Sequence, residues 1–185
     1  SMAAVPSAYE LLACVLAVLA AVLPIAAVAT TAGTGSEVTQ YAIVTNDAAT
    51  TKTSVAHRLL FPAVALLDPR YLATVPAATA RNAALDSLCH SIEGYLAVRA
   101  CDASNEAALL GIGGVARCWD ALADRADALS DAERALLLAA STLGGLTIAR
   151  TGTVAVHGLG YSLTYFRDID HGRANGLVLA AFLRY

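Results

Sequence analysis

Residues 68–100, DPRYLATVPAATARNAALDSLCHSIEGYLAVRA, hold the point at which the chain changes character. Asp68-Pro69 closes an apolar run, Ala63-Val64-Ala65-Leu66-Leu67, that reads as a strand. Pro76 has a fixed φ and needs no N–H at a helix start, so it opens a helix of about 20 residues reaching Ala100. Working outward, the residues before position 75 are strand-like and punctuated. Ile25 to Ala29 is a short apolar run, Thr30 to Ser36 a loop of small residues, and Tyr41-Ala42-Ile43-Val44-Thr45 a strand leading to a turn at Asn46-Asp47. After Pro76 the pattern is helical almost to the end. Ser104 to Leu129 is one helical stretch, with Gly111, Gly113 and Gly114 as breaks or close-packing points. Ser130-Asp131-Ala132-Glu133 is a capping box that starts another helix, with Gly144-Gly145 as a point of interruption. The expected fold class is therefore predominantly α with a small α/β part, divided near residue 75.

Composition narrows the function classes. The chain has 185 residues, 57% hydrophobic and 15% charged, with a formal net charge of −3. That is too apolar for a disordered segment and too weakly basic for a nucleic-acid binder. Its 11 arginines and single lysine, Lys52, are spread singly and form no phosphate-gripping cluster. Alanine accounts for 42 residues, which favour helix while filling little volume. Cys14, Cys89, Cys101 and Cys118 form no CxxC or zinc-ribbon spacing and read as free thiols of a cytoplasmic protein.

Leu11 to Ala29 carries no charge, close to the roughly 20 apolar residues of a membrane span, and Ala27-Val28-Ala29 has the form of a signal-peptidase site. No Lys or Arg precedes Lys52, and Pro24 splits the run. A buried helix over about residues 6–22 followed by a short strand accounts for the same residues without a membrane.

Three groups of residues could carry chemistry. Thr30-Thr31-Ala32-Gly33-Thr34-Gly35-Ser36-Glu37 follows a strand and lets backbone N–H groups approach an anion closely; a tight polar turn is the plain alternative. It is neither a Walker A loop nor GxGxxG. Asp86 and His90, four residues apart on one helix face, can converge on a cation or simply pair with each other. Glu93 is either a supporting group for such a site or a solvated side chain. His157-Gly158 and His171-Gly172 lie downstream on helical segments, where glycine permits close packing. One carboxylate and three imidazoles form an O/N set suited to Fe(II) or Zn(II). His57 stands outside the set as an ordinary loop or strand residue.

In their order and wording, TTAGTGSEVT at 30–39, Asp68-Pro69, Asp86 with His90 and Glu93, His157-Gly158, and the HGxAN of 171–175 resemble the iron-dependent (group III) alcohol dehydrogenases. The resemblance runs from about Pro24 to the C-terminus. It implies a partial dehydroquinate-synthase-like fold: residues 1–75 as part of a nucleotide-binding α/β segment and 76–185 as an incomplete all-helical metal-binding domain. It implies Asp86, His90, His157 and His171 as ligands of Fe2+, with Zn2+ the alternative. Thr30, Thr31, Gly33, Thr34, Gly35 and Ser36 would contact NAD or NADP, with Lys52 near the nicotinamide ribose. The implied reaction is reversible hydride transfer between the nicotinamide and a small alcohol or aldehyde.

Departures from the family pattern carry expectations of their own. Tyr161 stands where many members have a second histidine that relays the alcohol proton. A phenol of ordinary pKa about 10 is a poor shuttle near neutrality, so Tyr161 is expected to orient substrate. Ala83-Ala84-Leu85 stands where a glycine is usual. The GGGSxxD element that binds pyrophosphate has no counterpart, so the chain looks truncated at both ends. Two readings follow, a metal-dependent alcohol dehydrogenase and a non-catalytic metal-binding helical module derived from one. Apolar surface meant for missing partners predicts a homo-oligomer. Neither nucleic acid nor membrane is expected as a partner.

Overall fold

The structure is a computed structural model that describes residues 23–46 and 49–185; the helix expected over residues 6–22, Cys14, and Asp47 of the expected turn lie outside the described residues. Among the described residues, four strands precede residue 67. β1 (Ala26–Val28) pairs in parallel with β4 (Val64–Leu66), Ala26 opposite Val64 and Val28 opposite Leu66. Between them in sequence, β2 (Tyr41–Asn46) and β3 (Thr51–Ala56) form an antiparallel hairpin, Tyr41 opposite Ala56 and Asn46 opposite Thr51. The sequence reading gives no strand at β3, whose only large apolar residue is Val55. Its alternate β-branched residues Thr51, Thr53 and Val55 suit a strand once β2 is there to pair with. Buried Asn46 organises the turn: its carboxamide oxygen accepts from the Ala49 N–H at 2.9 Å and its amide donates to Thr53 Oγ1 at 3.2 Å.

Helices fill the rest of the chain. α1 (Ala77–Leu96) starts at Pro76 as expected and ends at Ala97, whose ψ of 145° is extended, a few residues short of Ala100. α2 (Asp102–Arg117) and α3 (Trp119–Arg125) replace the single stretch expected from Ser104 to Leu129. The break falls at Cys118, with φ −97° and ψ 2°, and none of the glycines causes it. Gly114 instead lets α2 close on the next helix, since a Cβ there would stand 2.9 Å from Ala140 Cβ. α4 (Asp131–Thr151) begins with the expected capping box: Ser130 Oγ accepts from the Glu133 N–H at 3.3 Å, and Glu133 Oε2 accepts from the Ser130 N–H at 2.8 Å. It runs unbroken through Gly144-Gly145. α5 (Ala155–Arg167) follows, and α6 (His171–Phe182) ends the described elements.

α1 is the central helix and packs against α2, α4 and α6. Its two sides differ in chemistry. Ala84, with Leu72, Val115, Leu122, Leu137 and Leu138 from its neighbours, belongs to the main apolar core. The remaining buried positions of α1 are mostly polar: Asp86, Ser87, His90, Ser91 and Glu93. A buried polar stripe needs partners: α5 and α6 supply them for Glu93 and Asp86, while Ser87 and Ser91 pack against Gly144 of α4.

Two close approaches tie the layers together. Gly35, at φ 58°, sits against α4 so tightly that a Cβ on it would lie 2.5 Å from Gly145 Cα. Gly172 on α6 meets α1, where a Cβ would lie 1.8 Å from the Asn82 carbonyl oxygen. The first contact fixes the loop after β1, and the second brings His171 beside Asp86. Among the described residues no single helix is long and apolar enough to cross a membrane. Cys89, Cys101 and Cys118 are free, as expected.

Candidate metal centre

Asp86 and His90 stand one turn apart on α1, as their spacing requires. His157 enters from the first turn of α5, and His171 is the first residue of α6. Three imidazoles turn the same atom toward one carboxylate oxygen. Asp86 Oδ1 lies 3.4 Å from His157 Nε2, 3.5 Å from His171 Nε2 and 3.9 Å from His90 Nε2. Asp86, His90 and His157 are buried and offer ligand atoms that all lie within 4.8 Å of one another. The His171 side chain is partly open, at 31% exposure, and lies at the mouth of the group.

These separations match a cation site. Two ligand atoms each about 2.1 Å from a tetrahedral metal are about 3.4 Å apart. Such a site also leaves ligand nitrogens without hydrogen bonds, and His157 Nε2 is buried with no such partner. His90 and His157 stack with ring centroids 4.7 Å apart, an arrangement of bases around a common point.

A second layer holds these groups. Asn175, fully buried on α6, donates from Nδ2 to Asp86 Oδ1 at 2.9 Å, and the same nitrogen lies 3.2 Å from His171 Nε2. Glu93, also fully buried, accepts on Oε1 from the backbone N–H groups of Val154 at 2.8 Å, Val156 at 2.9 Å and His157 at 3.4 Å. It thereby caps the N-terminus of α5, where a negative charge is favoured. Its Oε2 pairs with His157 Nδ1. The sequence leaves Glu93 open between supporting group and solvated side chain; the structure makes it a supporting group. Asn175 is visible in the sequence as part of the HGxAN wording, where its four-residue spacing from His171 puts the two on one face of α6, but no spacing gives its bond to Asp86.

The electrostatics of the metal-free site follow from burial and crowding. Burial works against an ionised Asp86, yet the surrounding imidazoles outweigh it and hold the carboxyl below its usual range. Burial drops His90 to about 4 and lowers His171 as well. His157 is opposed by burial too, but the Asp86 and Glu93 carboxylates push it up to about 9. The added proton of an imidazolium is thus most favoured on His157, the ring between the two carboxylates. A cation bound there would displace that proton.

The group forms the floor of a cavity of about 530 Å³ whose opposite wall is the β2–β3 hairpin. Lys52 and Ser54 of β3 face it, as do Thr34 and Ser36 of the loop. Tyr161 lines it and stacks on His171 with centroids 5.6 Å apart. Burial, then the Asp86 and Glu93 charges, raise the Tyr161 phenol above its ordinary value. A smaller cavity of about 180 Å³ on the other side of His171 is lined by Thr31, Gly33 and Thr34. Of the remaining residues expected to contact a cofactor, Thr30 is exposed and lines neither cavity, and Gly35 packs on Gly145. His57 is exposed and its Nδ1 accepts from the Leu59 N–H, outside the site as expected.

A carboxylate and three imidazoles gathered at a cleft between a small sheet part and a helical body form the donor set of a candidate metal centre. Residues 4–69 match the iron-containing alcohol dehydrogenases, and residues 80–185 match the C-terminal region of the Fe-containing alcohol dehydrogenase family. The chain belongs to the iron-containing alcohol dehydrogenase family. It is 33% identical over 159 residues to an aldehyde-alcohol dehydrogenase of Streptococcus pneumoniae, covering 86% of this chain and 18% of that one. The fold superposes on an iron-containing alcohol dehydrogenase of Thermotoga maritima with a TM-score of 0.77 at 37% identity, covering 85% of this chain and 42% of the other. It superposes on sulfoacetaldehyde reductase of Bifidobacterium kashiwanohense, solved in complex with NAD+, with a TM-score of 0.80 at 32% identity, covering 88% and 43%. The chain spans 18% to 42% of the length of the curated relatives it matches. The mostly helical fold with a small sheet part is thus that of this family.

Proposed function

We propose that Asp86, His90, His157 and His171 hold one divalent cation, Fe(II) or Zn(II), beside a cleft that takes NAD or NADP, and that the site serves reversible hydride transfer between the nicotinamide and a small alcohol or aldehyde. The observation that carries this reading is the facing of Asp86 Oδ1 by three Nε2 atoms at 3.4 to 3.9 Å on the floor of the large cleft. The bound cation supplies a Lewis acid for the substrate oxygen, and the dinucleotide supplies or accepts the hydride.

The chain's own residues do the positioning. Asn175 holds Asp86 in place, and Glu93 holds the N-terminus of α5. Thr31, Gly33, Thr34 and Ser36 offer hydroxyl and backbone donors to the cofactor from the loop after β1. Lys52 offers a cation to its ribose side from the hairpin wall. Tyr161, protonated at neutral pH as any phenol of ordinary pKa is, donates a hydrogen bond that orients the substrate oxygen. Residues 1–75 act as the nucleotide-binding part and 76–185 as the metal-binding part. The site of action is the cytoplasm, in keeping with the free cysteines. A homo-oligomer is the working form, in keeping with exposed Val64, Leu66 and Phe166.

The test is NADH and NADPH titration of the metal-loaded chain, followed by aldehyde reduction. Saturable cofactor binding weakened by Lys52→Ala, and reduction slowed by Tyr161→Phe, are expected. Stoichiometric metal with no cofactor binding at millimolar concentration would favour the non-catalytic metal-binding module instead.

A further inference from the structure

We infer that Glu93 is a positioning residue that fixes the tautomer of His157, forcing its proton onto Nδ1 and leaving Nε2 bare toward the metal centre. The inference rests on the reading of Asp86, His90, His157 and His171 as ligands. A neutral imidazole carries one N–H and one lone pair, and only the bare nitrogen binds a cation. Glu93 Oε2 pairs with His157 Nδ1, and a carboxylate oxygen in that pair accepts. The hydrogen therefore sits on Nδ1. Glu93 is fully buried, and its other oxygen is occupied by the backbone N–H groups of Val154, Val156 and His157. The carboxylate cannot turn away without leaving the start of α5 uncapped.

His157 differs in this respect from the other two imidazoles. His90 Nδ1 and His171 Nδ1 are buried without a hydrogen-bond partner, so no protein group on that side dictates their tautomer. One carboxylate thus sets both the position of the helix that carries His157 and the chemical face that His157 presents. Partners of this kind raise the basicity of a ligating imidazole, and their loss typically costs about 10- to 100-fold in metal affinity.

Glu93→Gln separates the two tasks. Its carboxamide oxygen still accepts from the three backbone N–H groups, because three donors facing an NH2 would clash. The NH2 then faces Nδ1 and demands a bare nitrogen there, which moves the imidazole proton to Nε2. The experiment is Zn(II) titration against a competing chelator for the 185-residue wild-type chain and Glu93→Gln, with 15N-imidazole NMR of the zinc-loaded wild type. Expected are Nδ1–H and a zinc-shifted Nε2 for His157 in wild type, and a loss of about 10- to 100-fold in Zn(II) affinity for Glu93→Gln with cooperative unfolding of the metal-free chain retained. Equal affinity in a folded Glu93→Gln overturns this inference alone. If that variant does not fold, the wild-type spectrum decides, and His157 bound through Nδ1 overturns it. Wild type that takes up no Zn(II) overturns the ligand reading and this inference together.

Discussion

Gly160 and Asn175 form a contact that a single methyl group can probe. A Cβ on Gly160 would stand 2.1 Å from Asn175 Oδ1, and Asn175 has no open side to move into because it is fully buried. Gly160→Ala is therefore expected to destabilise the chain by about 1–3 kcal/mol through overpacking, and to weaken metal binding by displacing the amide that holds Asp86. Gly113→Ala is the control, since a Cβ there meets nothing within 4 Å and Ala favours helix over Gly by about 1 kcal/mol. Urea unfolding of both checks the pair; equal stabilities would contradict the packing around Asn175. At this scale the sequence is informative where residues share a helix. Asp86 and His90 are legible as a pair from their spacing alone, whereas the bonds of Asn175 to Asp86 and of Glu93 to the start of α5 join different helices. Their roles depend on burial and on which atoms they reach, and neither quantity is written in a spacing.

The start of α4 is an element whose sequence signal and structure agree. Ser130 and Glu133 cap it reciprocally, and Arg125 Nη1 donates to Glu133 Oε2 at 2.9 Å. Ser130→Ala is expected to cost about 1 kcal/mol in unfolding free energy. Hydrogen bonds from Arg125 and Ser130 hold the Glu133 carboxyl at about 2, down from 4.5. The unfolded chain takes up this proton first on acidification. The stabilisation from Glu133 is then fully present above about pH 4.5 and is lost as the pH falls toward 2. Unfolding measured across that window should show the gap between wild type and Glu133→Gln closing with acid; a gap that does not change with pH would contradict the assignment. Caps are legible because their partners are three residues apart. Gly144-Gly145 and Gly111 to Gly114 are not, because a glycine that breaks a helix and one that admits a neighbour look alike in sequence. Here Gly145 admits Gly35, Gly114 admits Ala140, and α2 ends at Cys118. β3 is not legible for a related reason: its stability lies in pairing with β2 and not in its own apolar pattern.

At the scale of the molecule, the sheet part leaves apolar side chains uncovered. Val28, Val64 and Leu66, on the paired strands β1 and β4, are 44%, 49% and 50% exposed. Contiguous apolar surface of this kind drives association, so the chain on its own is expected to show concentration-dependent self-association in sedimentation. A monodisperse monomer at high concentration would speak against it. The change from strands to helices near residue 75 is legible because it is a change of period, and the motif wording carries the family. The convergence of α1, α5 and α6 on one oxygen is not legible from spacing, since close approaches such as Gly172 on Asn82 create it. The proposed metal centre stands on that convergence. Metal content of the purified chain after exposure to Fe(II) or Zn(II), in wild type and in Asp86→Ala and His171→Ala, tests it most directly. One cation per wild-type chain, lost or greatly reduced in both variants, is the predicted result. A stoichiometric cation that persists in both variants, or a wild type that takes up none, would contradict it.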